Sequence, residues 1–105
     1  MRMTIPTQLV LGFLLEDPAE ERYGYEIGDA AGLPSGTVHP ILARLEGAAW
    51  LESRWEDVVA SDAGRPARRY YRLTPDGIDA ARDALARAYR SRRPSLGRRP
   101  EPEPS

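Results

Sequence analysis

A four-residue breaker, Leu33-Pro34-Ser35-Gly36, separates two helical patterns, and this arrangement restricts the fold more than any other feature of the chain. So short a connection leaves the two helices no choice but to pack on each other. After it, Val38, Ile41, Leu42 and Leu45 recur at i, i+3, i+4 and i+7 and define one buried stripe of a helix running to about Ala48. Thr37, His39, Pro40 and Arg44 fall away from that stripe. Proline is costly in a helix middle, so Pro40 places the helix start close by, with Ser35 or Thr37 as its cap. Before the breaker, Tyr23 to about Ala31 reads as a shorter helix stopped by Gly32. Gly28 weakens that helix by about 1 kcal/mol relative to alanine.

The flanking segments complete a small domain. Pro6 to about Glu16 reads as a first helix, with Leu9, Val10, Leu11, Phe13, Leu14 and Leu15 around almost the whole cylinder. A helix apolar on every side is buried on several, and a second copy of the chain is one way to cover it. Downstream, Leu51, Ser53 and Trp55 alternate with Glu52, Arg54 and Glu56, and Arg69, Tyr71 and Leu73 alternate with Arg68, Tyr70 and Arg72. Two alternating runs joined by a polar loop carrying Gly64 and Pro66 make a hairpin with a long tip. Thr74 caps a last helix that Pro75 opens, and Ile78, Ala81, Leu85 and Ala88 form a coiled-coil-like seam along it. The fold class is mainly α with a small β-hairpin, an α+β arrangement. Residues 1–74 form the main domain and 75–93 a dimerisation helix, while 94–105, rich in Pro and without apolar period, read as a disordered tail.

Composition excludes several classes of function. The 105 residues contain no cysteine, so disulfides and thiolate metal sites are ruled out. No apolar run is long enough to span a membrane, and the stretch Leu9–Leu15 is a helix of the domain rather than a secretion signal. A cytoplasmic location follows by default. No nucleophile–base pair, phosphate loop or metal cluster is present, and no cofactor is expected, so the chain does not read as an enzyme. The net charge of −1 conceals an asymmetry: residues 1–64 carry a balance of −7, residues 65–99 one of +8. All fifteen basic residues are arginine, each able to fork onto phosphate or guanine.

The order helix, helix, short turn, helix, strand, long loop, strand, helix is that of a winged helix-turn-helix. In that arrangement the helix after the turn enters the major groove of double-stranded DNA with its N-terminal residues nearest the bases. Here those residues are Ser35, Gly36, Thr37, His39 and Pro40, with Arg44 about a turn further on. Small groups at a helix start let backbone N–H donors approach phosphate. Arg65, Arg68 and Arg69 sit at the hairpin tip, where cations follow phosphates or enter the minor groove.

The same residues carry a family resemblance. Leu33 to Glu46, reading LPSGTVHPILARLE, resembles the recognition-helix signature of the PadR family of bacterial transcriptional regulators. Tyr23-Gly24-Tyr25-Glu26-Ile27 resembles the entry to the preceding helix in that family, and Gly64 to Gly77 its wing, last strand and helix cap. The family usually has tyrosine where this chain has His39. The resemblance implies a winged helix, contact with DNA that includes Tyr23, a homodimer closed by the C-terminal helix with the first helix, and repression of a nearby promoter. In many members a small molecule relieves that repression. On this reading Leu9, Phe13, Ile78, Ala81, Leu85, Ala88 and Tyr89 lie at the dimer interface.

Plainer roles stand beside these. Tyr70 and Tyr71 read as packing residues on opposite strand faces, and Trp50 and Trp55 as core or wing-base packing, with stacking on a flat ligand the alternative for Trp or Tyr89. Arg68, next to the strand, is the wing arginine best suited to a structural role. Glu16, Asp17, Glu20 and Glu21 form an acidic loop facing solvent. The rival to DNA binding is a winged helix that binds another protein, favoured by the acidic N-terminal half.

Overall fold

The computed structural model describes residues 1–57 and 64–92. Its elements are α1 (Ile5–Glu16), β1 (Arg22–Tyr23), α2 (Gly24–Ala31), α3 (Ser35–Gly47), β2 (Leu51–Trp55), β3 (Arg69–Leu73) and α4 (Pro75–Arg92). The architecture is mainly helical with a small antiparallel sheet, a winged helix-turn-helix. The loop tip at 58–63 and the stretch expected as a tail, 94–105, lie outside the described residues, as does Arg93.

Local chemistry sets the boundaries. Thr4 caps α1 by accepting the Thr7 N–H at 3.3 Å. Gly32 ends α2 in the left-handed conformation at φ +72°, which costs glycine nothing. Glu26 reaches back to accept the Tyr23 N–H at 3.4 Å, the return half of a capping box. At α3 the expected cap is corrected. Neither Ser35 nor Thr37 caps the helix; Pro34 occupies that position in extended conformation, and its carbonyl accepts from Thr37 N at 2.9 Å and Val38 N at 3.1 Å. Ser35 and Thr37 are thereby drawn inside the first turn. Pro40 lies within the helix, where its ring removes one bond toward Gly36. Thr74 caps α4, accepting the Gly77 N–H at 2.8 Å.

The sheet has three strands rather than the two of a bare hairpin, in the order β1-β3-β2. Arg22 pairs with Tyr71 and Tyr23 with Tyr70, so Tyr23, expected to begin α2, instead ends a short strand before it. On the other side of β3, Leu51 pairs with Leu73, Ser53 with Tyr71 and Trp55 with Arg69. The inner face of this sheet closes one side of the core.

The core joins Val10 and Leu11 of α1, Ile27 of α2, all four stripe residues of α3, and Leu51, Tyr71 and Leu73 of the sheet. Each large apolar side chain so buried contributes about 1.5–3 kcal/mol. Val38, Leu42 and Leu45 are completely enclosed, which fixes the roll of α3 and turns its polar face outward. A close approach sets the distance between α2 and α3. A Cβ on Gly28 would lie 2.9 Å from the Leu33 carbonyl oxygen and 3.3 Å from Val38 Cγ2. The glycine that weakens α2 as a helix is therefore what lets the turn fold tightly against it.

Helix α1 packs on α2, α3 and α4 but is not enclosed all round. Ile5 and Leu9 remain 51% and 45% exposed. Ala81, expected on the dimer seam, is fully buried within its own chain, and Ile78 and Leu85 pack partly against the same core. Ala88 is partly exposed, and Phe13 lies under the Arg22 guanidinium, 4.8 Å from its ring centre. One apolar surface left open among the described residues is a groove lined by Ile5, Gln8, Leu9, Leu85 and Tyr89, the last 59% exposed.

Candidate nucleic-acid interface

Two elements project from this core. The outward side of α3 presents Ser35, Gly36, His39, Pro40 and Arg44 to solvent, with Thr37 partly covered. There is no acidic residue in the first turn of α3. The His39 ring lies against Gly24: a Cβ there would stand 3.0 Å from His39 Cε1. Glycine at the start of α2 thus makes room for the imidazole, which stays exposed at its other edge. No ion pair joins Arg44 to another described residue, so its guanidinium is available to a partner.

The wing is different, because its arginines are engaged. Arg65 forks onto Glu56 with two bonds, Nη1 to Oε1 at 2.7 Å and Nη2 to Oε2 at 2.9 Å. The Arg68 backbone N–H donates to the same carboxylate at 3.2 Å, and its guanidinium lies 4.0 Å over the Tyr23 ring. Tyr23 meets Tyr70 edge-to-face at 5.9 Å. Tyr23 therefore belongs to the root of the wing and not to the outward face of α3. Arg69 reaches Glu46 at 3.6 Å and lies 5.0 Å over the Trp55 ring, which is otherwise 61% exposed. Trp50, by contrast, packs against the core.

Of the acidic residues expected to face solvent, Glu16, Asp17 and Glu20 are exposed, but Glu21 is engaged. Glu21 accepts two bonds from Arg54, both at 2.7 Å, across the sheet. That pairing, and those of Glu56 and Glu46, join residues whose closeness depends on strand register and has no signal in the sequence. Arg22 pairs with Glu26 at 2.8 Å in the same region.

The Arg65 fork holds the Glu56 carboxyl down at about 2; the Arg68 amide adds to the effect, while desolvation opposes it. A carboxyl lowered by folding stabilises the folded state above its unfolded value of 4.5, and that contribution is lost as pH falls toward 2. The melting temperature of Glu56→Gln is therefore expected to lie below wild type at neutral pH and to converge on it in acid. A gap that stayed constant from neutral pH to about 2 would show that the carboxylate charge is not responsible.

Among the described residues, no helix is long and apolar enough to cross a membrane, and no three His, Asp or Glu side chains stand together as metal ligands. The model of the PadR-like transcriptional regulator family matches residues 10–83, from within α1 into α4. The chain belongs to that family. Its function is thus regulation of transcription rather than catalysis.

Solved structures agree with the PadR-like fold. A PadR family regulator from hypervirulent Clostridium difficile R20291 superposes with a TM-score of 0.65 at 24% identity, over 84% of this chain and 90% of that one. The PcaV regulator from Streptomyces coelicolor shares 27% identity over 85% of this chain and 60% of its own, with a TM-score of 0.65. AbfR in its reduced, DNA-bound form shares 26% identity over 89% of this chain and 59% of its own, again at 0.65. The PadR-like chain thus spans about three fifths of the last two. None of the curated proteins matches it.

Proposed function

We propose that this PadR-like chain is a repressor that binds an inverted-repeat site on double-stranded DNA as a homodimer. The observation that carries the reading is the outward face of α3: small and polar residues at its start, then His39 and an Arg44 with no ion pair among the described residues, backed by a buried stripe that holds the helix in place. Each protomer inserts α3 into one major groove, where Ser35, Gly36 and Thr37 come closest to the bases and phosphates, His39 donates to a base or phosphate, and Arg44 reaches the backbone. The wing arginines Arg65, Arg68 and Arg69 follow the phosphates alongside. The DNA-bound form of AbfR supports duplex DNA as the partner.

Residues 1–74 form the DNA-reading unit in this account, and α4 supplies the dimer contact. The groove of Ile5, Leu9, Leu85 and Tyr89 is the apolar surface that a second copy covers, whereas Ile78 and Ala88 line two other hollows. The two-fold axis then sets half-site centres about 34 Å apart or a multiple of that.

Selection of bound duplexes from a random library, followed by titration of the winner across salt, tests the reading. One enriched inverted repeat and an affinity falling steeply with salt are expected. No enrichment, and no duplex binding at low salt, would transfer the proposal to a winged helix that binds protein.

A further inference from the structure

Three hydrogen bonds in the wing converge on one carboxylate. Glu56 accepts both arms of the Arg65 fork at 2.7 and 2.9 Å and the Arg68 backbone N–H at 3.2 Å. A guanidinium fork with a backbone amide beside it is the donor set that binds a phosphate diester. The Glu56 side chain is only 8% exposed and that of Arg65 34%, so the carboxylate sits inside this donor set rather than at its edge. Glu56 also donates its own backbone N–H to the Arg68 carbonyl at 2.7 Å, which holds the anion in register with its donors.

We infer that Glu56 is a built-in phosphate mimic: it fills an anion site formed by Arg65 and the Arg68 amide, and a DNA phosphate must displace it for the wing to engage. This rests on the reading of the chain as a DNA-binding regulator. On this inference the wing adds little net affinity. Arg44 meets DNA without losing an ion pair to any described residue, whereas Arg65 exchanges one anion for another and gains little net energy. The site therefore discriminates by geometry. A non-specific encounter that does not seat the wing leaves the Glu56 pair closed, whereas a duplex docked along α3 brings a phosphate to the fork. The low proton affinity of the carboxyl agrees with an anion held by strong donors. Arg69 is partnered differently, by Glu46 at 3.6 Å and the Trp55 ring, and is not part of this site.

The test compares wild type, Glu56→Gln and the double variant Glu56→Gln/Arg65→Gln, as full chains, on the duplex that wild type selects. Glutamine keeps the shape and can still accept from Arg68 N–H, but removes the charge. Glu56→Gln is expected to bind on the order of tenfold more tightly. Its log-affinity against log-salt slope should steepen by about 0.9 for each wing, because the fork then meets a phosphate without freeing a carboxylate that takes up a cation. The double variant should lose both gains. Glu56→Asp, too short to keep the fork, should move in the same direction by less, and covers the case in which the glutamine variant fails to fold. Weaker or unchanged binding by folded Glu56→Gln would overturn the inference and make Glu56 a positioning residue for the wing. So would a gain that survives in the double variant. If wild type binds no duplex at all, the functional reading itself fails, and that outcome is distinct from any of these.

Discussion

Gly77→Ala is expected to lower the stability of the chain by about 3 kcal/mol or more and its melting temperature by roughly 15 °C, although alanine is the better helix former. Helix propensity alone would favour the substitution by about 1 kcal/mol. The steric term opposes and exceeds it. A Cβ at position 77 would overlap the Trp50 carbonyl oxygen and stand 2.7 Å from the Trp50 carbonyl carbon and 2.8 Å from its Cα. These are backbone atoms, so no flexible side chain can yield. They are also held in place. Trp50 N–H donates to the Leu45 carbonyl at 2.9 Å, Thr74 N–H to the Trp50 carbonyl at 3.0 Å, and the Thr74 hydroxyl to the Ala49 carbonyl at 2.8 Å. Ala49 itself has φ +64°, a left-handed conformation that costs a non-glycine residue about 1 kcal/mol. The turn leaving α3 and the start of α4 are thus one joint, and Gly77 is the space in it. Gly47→Ala, where an added Cβ meets nothing within 4 Å, is the control and should leave the melting temperature unchanged or slightly raised. Thermal melts of the two variants check the expectation; equal stabilities would mean that the joint is loose.

Leu9→Arg is expected to yield a folded monomer that binds the selected inverted repeat at least a hundredfold more weakly than wild type. Leu9 is 45% exposed beside Ile5 at 51% and Tyr89 at 59%, an apolar patch at the meeting of α1 and α4. An arginine there leaves the protomer core undisturbed, because Val10, Leu11 and Leu14 on the same helix are the residues that point inward. It places a charge where the proposed partner copy would desolvate it, which such contacts do not tolerate. Loss of the dimer then removes the linkage between two half-site contacts, worth about 10²- to 10⁴-fold in avidity. Sedimentation and duplex titration together check both halves. A variant that remains dimeric would place the interface elsewhere.

Much of the scaffold was legible in the residues. The stripe of Val38, Ile41, Leu42 and Leu45 gave the buried side of α3 because helical period leaves only one way to bury them. The alternation around Leu51 and Tyr71 gave the two long strands, and Thr74-Pro75 gave the start of α4. Less legible were features that exist only between elements. Strand β1 is two residues long and has no period to detect. Gly28 reads as a weak helix residue, and Gly77 only as part of a helix start, until the backbone each one touches is in place. The apolar surround of α1 could not be divided by sequence into a side facing the core and a side left open. The cap of α3 is not legible from residue type, because the Pro34 carbonyl takes the Thr37 N–H that a side-chain oxygen would otherwise accept.

The candidate interface divides in the same way. The outward residues of α3 followed directly from the stripe, since whatever is not buried faces out. The state of the wing arginines did not. Arg65 and Glu56 are nine positions apart, and Arg54 and Glu21 thirty-three. Only the hairpin and the sheet register bring them together. A cation count therefore overstated how many charges the wing has free.

The central claim is that two copies of α3 read DNA from one face, each in its own major groove. Hydroxyl-radical footprinting of wild type on the selected duplex tests it most directly. The account predicts two protected stretches related by a dyad and separated by about one helical turn, roughly 34 Å, or a multiple of it. A single protected stretch, or uniform protection without a dyad, would contradict it.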